Sequence, residues 1–435
     1  MRLAASVSGD STNENFFMKA LLLPALVATT LTATASDWPQ WRGPARDGHA
    51  SAVKLDALPK EAKTLWSVPV GVGQSSPVIV AGKVIYLDDQ GGQETAHCLN
   101  LADGKELWHV AVDQTEVWGN AYGAGPRCTP LVDGDRVYVQ SCRGEFRCLA
   151  LADGKTVWRT SFEKDWGCSW FGNAGNNAPD AKETASRRHG NNGSAAIDGD
   201  RIFVPVGSPE KGTLVAFDKK TGKVLWHAGN ENTAYSSVMV ATLAGVKQVV
   251  HLTADALMGV DAATGKILWR TPVKTGAKRH VLTPIIADDS VTISSSSVGL
   301  TKFKIAKDSG GLKAEPAWKN EAVKITLATP VLVGGHLYGL GTGNKTDLIC
   351  VDFATGEVKW KQPGFGDYAA FIALGDKLLM QDMTGTLLMF KASPAKFEEL
   401  GRVQVCGNTW SHPAFADGKL LQRDKTKLFA LELGK

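Results

Sequence analysis

The chain is poor in catalytic and metal-binding motifs. None of its seven cysteines is adjacent to another, and no Cys-x-x-Cys, Cys-x-x-Cys-His or His-x-x-x-His spacing occurs. That removes a dithiol redox motif, a c-type haem attachment and the usual zinc spacings. A Gly-x-Ser-x-Gly elbow, a Gly-x-x-x-x-Gly-Lys-Ser/Thr loop and His-Glu-x-x-His are also absent, so no standard hydrolase, nucleotide-binding or metalloprotease motif is available. Charge of one sign is scarce: the formal net charge is +4 over 435 residues, and there is no long Lys/Arg run. A nucleic-acid-binding face would need such a concentration. The short basic pairs Arg187–Arg188 and Lys278–Arg279 read first as solvated loop charge. No apolar run is long enough to span a bilayer comfortably.

One short apolar run does stand out, near the N-terminus. Met18–Lys19 opens a positive region, residues 20–31 (ALLLPALVATTL) are apolar, and Ala33-Thr34-Ala35 supplies a small-x-small cleavage site. This is the pattern of an export signal over 18–35, with cleavage near Ala35 and a mature chain from Ser36. Residues 1–17 are polar, match no signal and read as an extension ahead of the true start. The expectation is a periplasmic or secreted protein whose residues 36–435 form a single domain.

Repetition dominates the rest. Five phrases recur, HCLNLADGKELW, RCLALADGKTVW, VAFDKKTGKVLW, MGVDAATGKILW and ICVDFATGEVKW, each with a glycine four residues before a tryptophan. The glycines are Gly104, Gly154, Gly222, Gly265 and Gly356, and the tryptophans Trp108, Trp158, Trp226, Trp269 and Trp360. Repetition at this period marks an array or propeller. Each phrase reads as an alternating strand, a turn whose glycine supplies φ > 0, and a second strand carrying a tryptophan large enough to fill the gap between sheets. Upstream of most copies lies another hairpin, as in SSPVIVAGKVIYL, CTPLVDGDRVYVQ and ATPVLVGGHLYGL. Four strands per repeat make one blade. Counting gives an all-β, eight-bladed propeller, with seven the alternative should the irregular segment around SGGLKAEPAW not form a blade. The last segment has three strands, and Lys63-Thr64-Leu65-Trp66 looks like the missing fourth, closing the ring.

These repeats resemble those of the pyrroloquinoline-quinone (PQQ)-like, BamB-like propeller family, and the opening DWPQWRGPARDG (37–48) resembles the N-terminal signature of its exported bacterial members. The resemblance implies the fold and leaves function open between branches. Quinoprotein dehydrogenases of the family carry an adjacent Cys-Cys pair, a calcium held by acidic and amide side chains, and a catalytic Asp. Without the Cys-Cys pair the carry-over fails, so no catalytic residue and no metal ligand is assigned. PQQ with calcium stands only as the alternative cofactor.

Long connections on a rigid scaffold are where function is most often placed. Three are conspicuous, residues 113–127, 162–192 and 275–280. With the lead-in to the last blade they collect the candidate ligand-binding residues Trp118, Trp170, Asn173, Arg188, His189, Arg279, His280, Trp410 and His412. That mixture would suit a planar, anionic or carbohydrate-like ligand; the plainer reading is that the tryptophans pin the loops. Cys98, Cys148 and Cys350 share one register with Ala216 and Gly259, a position for a small buried side chain. Cys168 could pair with Cys142 or Cys128 to tether the longest loop, or remain a thiol. The reading that results is a monomeric, non-catalytic binding or scaffold module, with a protein or envelope component as partner. A quinoprotein oxidoreductase and a carbohydrate-binding propeller are the alternatives.

Overall fold

Each Gly-x-x-x-Trp phrase closes the outermost hairpin of a four-stranded antiparallel sheet. The computed structural model describes residues 37–50, 55–115, 124–168, 189–275, 278–341 and 346–433. Among these, thirty-two strands form eight four-stranded sheets and no helix is present. Blade 1 is built from Val78–Val80, Lys83–Asp89, Gln93–Asn100 and Glu106–Gln114, running from the ring axis outward. Blades 2 to 7 follow the same order, within residues 131–161, 196–228, 239–272, 285–320, 331–362 and 369–404. The count of eight is therefore observed. The irregular segment forms a full blade 5, whose last two strands, Gly299–Asp308 and Gly311–Asn320, are the longest pair in the ring. Blade 8 takes three strands from the C-terminal segment and its outer strand, Lys63–Pro69, from the N-terminal one. That strand pairs antiparallel with Lys427–Glu432, as the orphan Lys63–Trp66 strand predicted.

The structure explains why the glycine and tryptophan travel together. The glycine of one blade lies against the tryptophan of the blade before it. A Cβ on Gly154 would approach the Trp108 ring to 2.8 Å, and one on Gly265 would meet Trp226 at 2.8 Å. Both glycines have φ above +70°, where a side chain is also strained. Each indole N–H then donates to a carbonyl of that next blade: Trp66 to Leu101, Trp108 to Leu151, Trp158 to Lys219, Trp226 to Ala262. Trp269 breaks the pattern because blade 5 lacks the glycine turn; its indole instead donates to Gln248 Oε1 within its own blade, at 2.6 Å.

The small-residue register has an equally direct cause. Cys98, Cys148, Ala216, Gly259 and Cys350 are the cross-strand partners of Trp108, Trp158, Trp226, Trp269 and Trp360. A large residue there would collide with the indole; even a Cβ on Gly259 would fall 2.2 Å from Trp269 Nε1.

The opening signature is not a surface tail. Residues 37–50 run along the ring axis and touch the innermost strands of several blades. Trp38 exchanges backbone hydrogen bonds with Ile79 in blade 1, Pro39 accepts from Val132 in blade 2, and Ala50 donates to Ala373 in blade 7. Buried Arg46 donates to the carbonyls of Ser194 and Ala195 in blade 3. Buried Arg42 donates to Pro330 O in blade 6 and to Asp47 O. An open channel lined by strand ends would leave polar backbone in water; the segment fills it and satisfies those groups.

Candidate functional site

Every blade begins with an extended residue that faces the axis, just before its innermost strand or, in blade 7, at the strand's first position. In blades 1 to 4 these are Ser76, Thr129, Ser194 and Ser237; in blades 5 to 8 they are Thr283, Thr329, Ala369 and His412. All eight border one cavity of about 300 Å³ at the mouth of the axial channel. The volume lies at the small end of ligand pockets. Two residues earlier, where the extended chain again faces the same side, the side chains differ from blade to blade. They are Gln74, Arg127, Asn192 and Tyr235 in blades 1 to 4, and Val281, Leu327 and Trp410 in blades 5, 6 and 8. Blade 7 contributes Tyr368, whose ring stacks on Trp410 with centroids 5.5 Å apart and planes 5° from parallel. Trp41, from the segment that fills the channel, closes the inner end by donating its indole N–H to Thr283 Oγ1 at 2.9 Å.

The inner ring is stitched by its own hydroxyls. The backbone N–H of Thr129 donates to Ser194 Oγ, that of Ser194 to Ser237 Oγ, that of Thr283 to Thr329 Oγ1, and that of His412 to Ser76 Oγ. Each bond joins one blade to the next. Because the oxygens act as acceptors here, the hydroxyl protons of Ser76, Ser194, Ser237, Thr283 and Thr329 remain available as donors.

Electrostatically the site is one-sided. No Asp or Glu is among the described residues that border the cavity, whereas Arg127 and Arg279 are. Beneath it lie Arg42 and Arg46, which form no ion pair among the described residues. Burial lowers both guanidinium pKa values to about 10, with Asp47 partly offsetting the effect at Arg42 and Cys128 at Arg46. They stay protonated at neutral pH. His412 is 4% exposed and packs against Trp38 and Trp41. Burial, and then the charge of Arg42, lower its pKa to about 4, so it is neutral. Its Nδ1 lies 2.8 Å from Pro413 O, which assigns the proton to Nδ1; Nε2 has no partner.

Four of the nine candidates from sequence, His189, Arg279, Trp410 and His412, border this cavity. His280 does not: it is fully buried, accepts from the Tyr235 N–H through its carbonyl, and has a pKa lowered by burial. Trp118, Trp170, Asn173 and Arg188 lie outside the described residues, as does the export signal. Sequence reasoning missed the hydroxyl ring, Trp41 and Tyr368. A signal for the ring was present, since a Ser-Pro or Thr-Pro pair opens the inner hairpin at 76–77, 129–130, 283–284 and 329–330. The disulfide alternative is not realised, and no cysteine is bridged to another. The Cys128 thiol instead lies 3.5 Å from both Gly193 O and Ser194 Oγ, and that of Cys168 3.4 Å from Val206 O. Burial pushes the Cys128 thiol up to about 11. No group of three or more His, Cys, Asp or Glu among the described residues is placed to hold a metal ion.

Comparison with known proteins agrees with this architecture. The family described as outer membrane protein assembly factor BamB matches over residues 47–205 and 93–362. Over 139 residues the chain is 31% identical to the outer membrane protein assembly factor BamB of Salmonella typhimurium, covering 29% of this chain and 33% of that protein. The match thus spans about a third of that relative's length. The crystal structure of BamB from Moraxella catarrhalis superposes with a TM-score of 0.57 at 15% identity, over 85% of this chain and 97% of that one. A quinohemoprotein alcohol dehydrogenase, ADHIIG from Pseudomonas putida HK5, gives 0.51 at 13% identity, over 92% and 80%. At such identities the two structures speak for the fold alone. The family match covers well over half of the sequence, and the chain belongs to the PQQ-repeat family of outer membrane protein assembly factor BamB.

Proposed function

We propose that this chain is an exported, non-catalytic propeller that serves as a monomeric scaffold for a protein partner in the cell envelope. The observation that carries the reading is the placement of exposed apolar side chains. Among the described residues, all the exposed large hydrophobics except Val72 lie on the outermost strands of blades 1 to 4: Leu107, Val157, Val224, Leu225 and Ile267. Leu107, Val157 and Leu225 occupy the same register, immediately before the tryptophan. The corresponding residues of blades 5 and 6 are Ala317 and Lys359. Four successive sheet edges therefore share an apolar stripe, and an outer sheet edge can also accept a strand or extended segment from a partner. The family's BamB members, named as outer membrane assembly factors, favour a protein as that partner.

The test is a triple variant, L107E/V157E/L225E, compared with the wild type by crosslinking in intact cells and by thermal unfolding. The reading expects loss of a defined crosslinked protein with the unfolding midpoint retained; an unchanged crosslinking pattern would overturn it. Recovery of a mature chain starting at Ser36 from the periplasm or medium would test export.

The quinoprotein alternative asks for a calcium-supported quinone. Calcium prefers several hard oxygen ligands, carboxylates above all, and the described cavity wall offers no carboxylate. The group does not fit these residues, and no redox step is derived. Titration with PQQ, with and without calcium, should give no calcium-dependent binding and no dye-coupled alcohol oxidation. Turnover would replace the scaffold reading with an enzymatic one. A carbohydrate ligand is the third reading, supported by the Tyr368–Trp410 stack.

A further inference from the structure

The cavity at the channel mouth carries more information than a scaffold requires. Its described wall is rich in hydroxyl and guanidinium donors and holds no carboxylate. Ring hydroxyls that accept a neighbour's backbone N–H, as those of Ser194, Ser237 and Thr329 do, keep a proton to donate. Ser295, 4% exposed, borders the same space with an Oγ that has no hydrogen-bond partner. Arg279 also borders it, half-buried, with no hydrogen bond or ion pair among the described residues. Buried polar groups are normally satisfied, so an unmatched set converging on one cavity marks what is to be bound there. A lining of donors and cations without a carboxylate calls for an acceptor of negative charge. The arginines beneath, held by carbonyls alone, strengthen the field, and a concave low-dielectric wall concentrates it.

We propose that the channel mouth is a binding site for a small organic oxyanion, a carboxylate or a phosphate ester. The head group accepts from Arg279, Ser295 and the ring hydroxyls. The body packs on Trp41 and on the Tyr368–Trp410 stack. His412 Nε2 and Asn192 Oδ1, acceptors in the wall with no partner, take a proton donor from the ligand or from a bound water. No metal is required. The site lies at the axis, away from the apolar stripe on the outer blade edges, so either proposal can fail without the other.

The experiment uses the full mature chain and three probes, benzoate, phenyl phosphate and the neutral benzyl alcohol. Binding is followed by calorimetry and by the fluorescence of the tryptophans that wall the cavity. At least one anion should saturate, the two anions distinguishing a carboxylate from a phosphate preference, and benzyl alcohol should bind at least about tenfold more weakly. R279Q should weaken the anion by about tenfold or more with an unchanged unfolding midpoint, R279K should recover part of the loss, and S295A should weaken it less. The exposed control R402Q, on the outer strand of blade 7, should bind as wild type. Equal affinity for benzyl alcohol and the anions would overturn the proposal, as would wild-type affinity in R279Q. So would failure of both anions to saturate by about 10 mM.

Discussion

The outer joints of the ring and its axis are built by opposite rules. At the joints the same device recurs: an indole of one blade lies on a glycine turn of the next and donates to a carbonyl there. At the axis the backbone position recurs but the side chain does not. One ring keeps a hydroxyl in six blades and changes to Ala369 and His412 in the other two, while the positions two residues earlier hold Gln, Arg, Asn, Tyr, Val, Leu and Trp. Repetition marks what every blade must do, which is to hold its neighbour. Variation at a fixed backbone position marks where the eight blades jointly shape one surface.

That contrast can be broken first at a joint. W226A removes a buried indole between blades 3 and 4 together with its bond to Ala262 O, and should cost about 3–5 kcal/mol, measured by denaturant unfolding. Next in size is the filled channel. R46M leaves the carbonyls of Ser194 and Ala195 without their donor and should cost about 1–3 kcal/mol. A smaller cost there than at the joint would confirm that the rim holds the ring more firmly than the plug.

A third prediction concerns the seam where the ring closes. Buried His97 lies between Asp88 (Nε2–Oδ1 3.0 Å) and Glu106 (Nδ1–Oε1 2.7 Å), and Asp88 also accepts the N–H of Gly71, just beyond the closing strand. Burial opposes the charge on His97, but the hydrogen bonds and charges of Asp88 and Glu106 outweigh it and raise its pKa above 6.5. Burial likewise opposes the charges on Asp88 and Glu106; His97 outweighs it and holds both below their ordinary values of 3.8 and 4.5. The histidine's contribution is complete below pH 6.5 and fades as pH rises through its raised value. The carboxylates' contribution is complete above pH 4.5 and fades as pH falls through their lowered values. The seam should therefore contribute most between about pH 4.5 and 6.5, and H97Q should flatten both limbs of the midpoint-versus-pH curve. The smallest effect on stability is expected at the axis: R279Q should change it by less than about 0.5 kcal/mol, because the side chain has no partner to lose.

Much of this architecture could be read from residue order. Gly-x-x-x-Trp spacing, the small residue opposite each tryptophan, and the orphan strand at Lys63–Trp66 are local patterns with local causes. The sequence count faltered only at blade 5, where a longer hairpin replaces the glycine turn. The site was half legible. His189, Arg279, Trp410 and His412 were collected because they stand in or near conspicuous loops. His280 was collected for the same reason, yet it is buried away from the cavity; nothing in Lys-Arg-His distinguishes a side chain that faces the axis from one that packs behind it. The hydroxyl ring went unread because a Ser-Pro or Thr-Pro pair is an ordinary strand opening until hydroxyls from six blades are seen to converge.

By itself the sequence determined the blade, its repeat and the number of copies, because those depend on alternation, turn geometry and one bulky residue per unit. Only the tertiary structure decided that residues 37–50 fill the channel, that hydroxyls from different blades bond in a belt, and that Arg279 and Ser295 face one cavity. Those relations join residues from 16 to more than 300 positions apart, and packing of the blades around one axis is what brings them together.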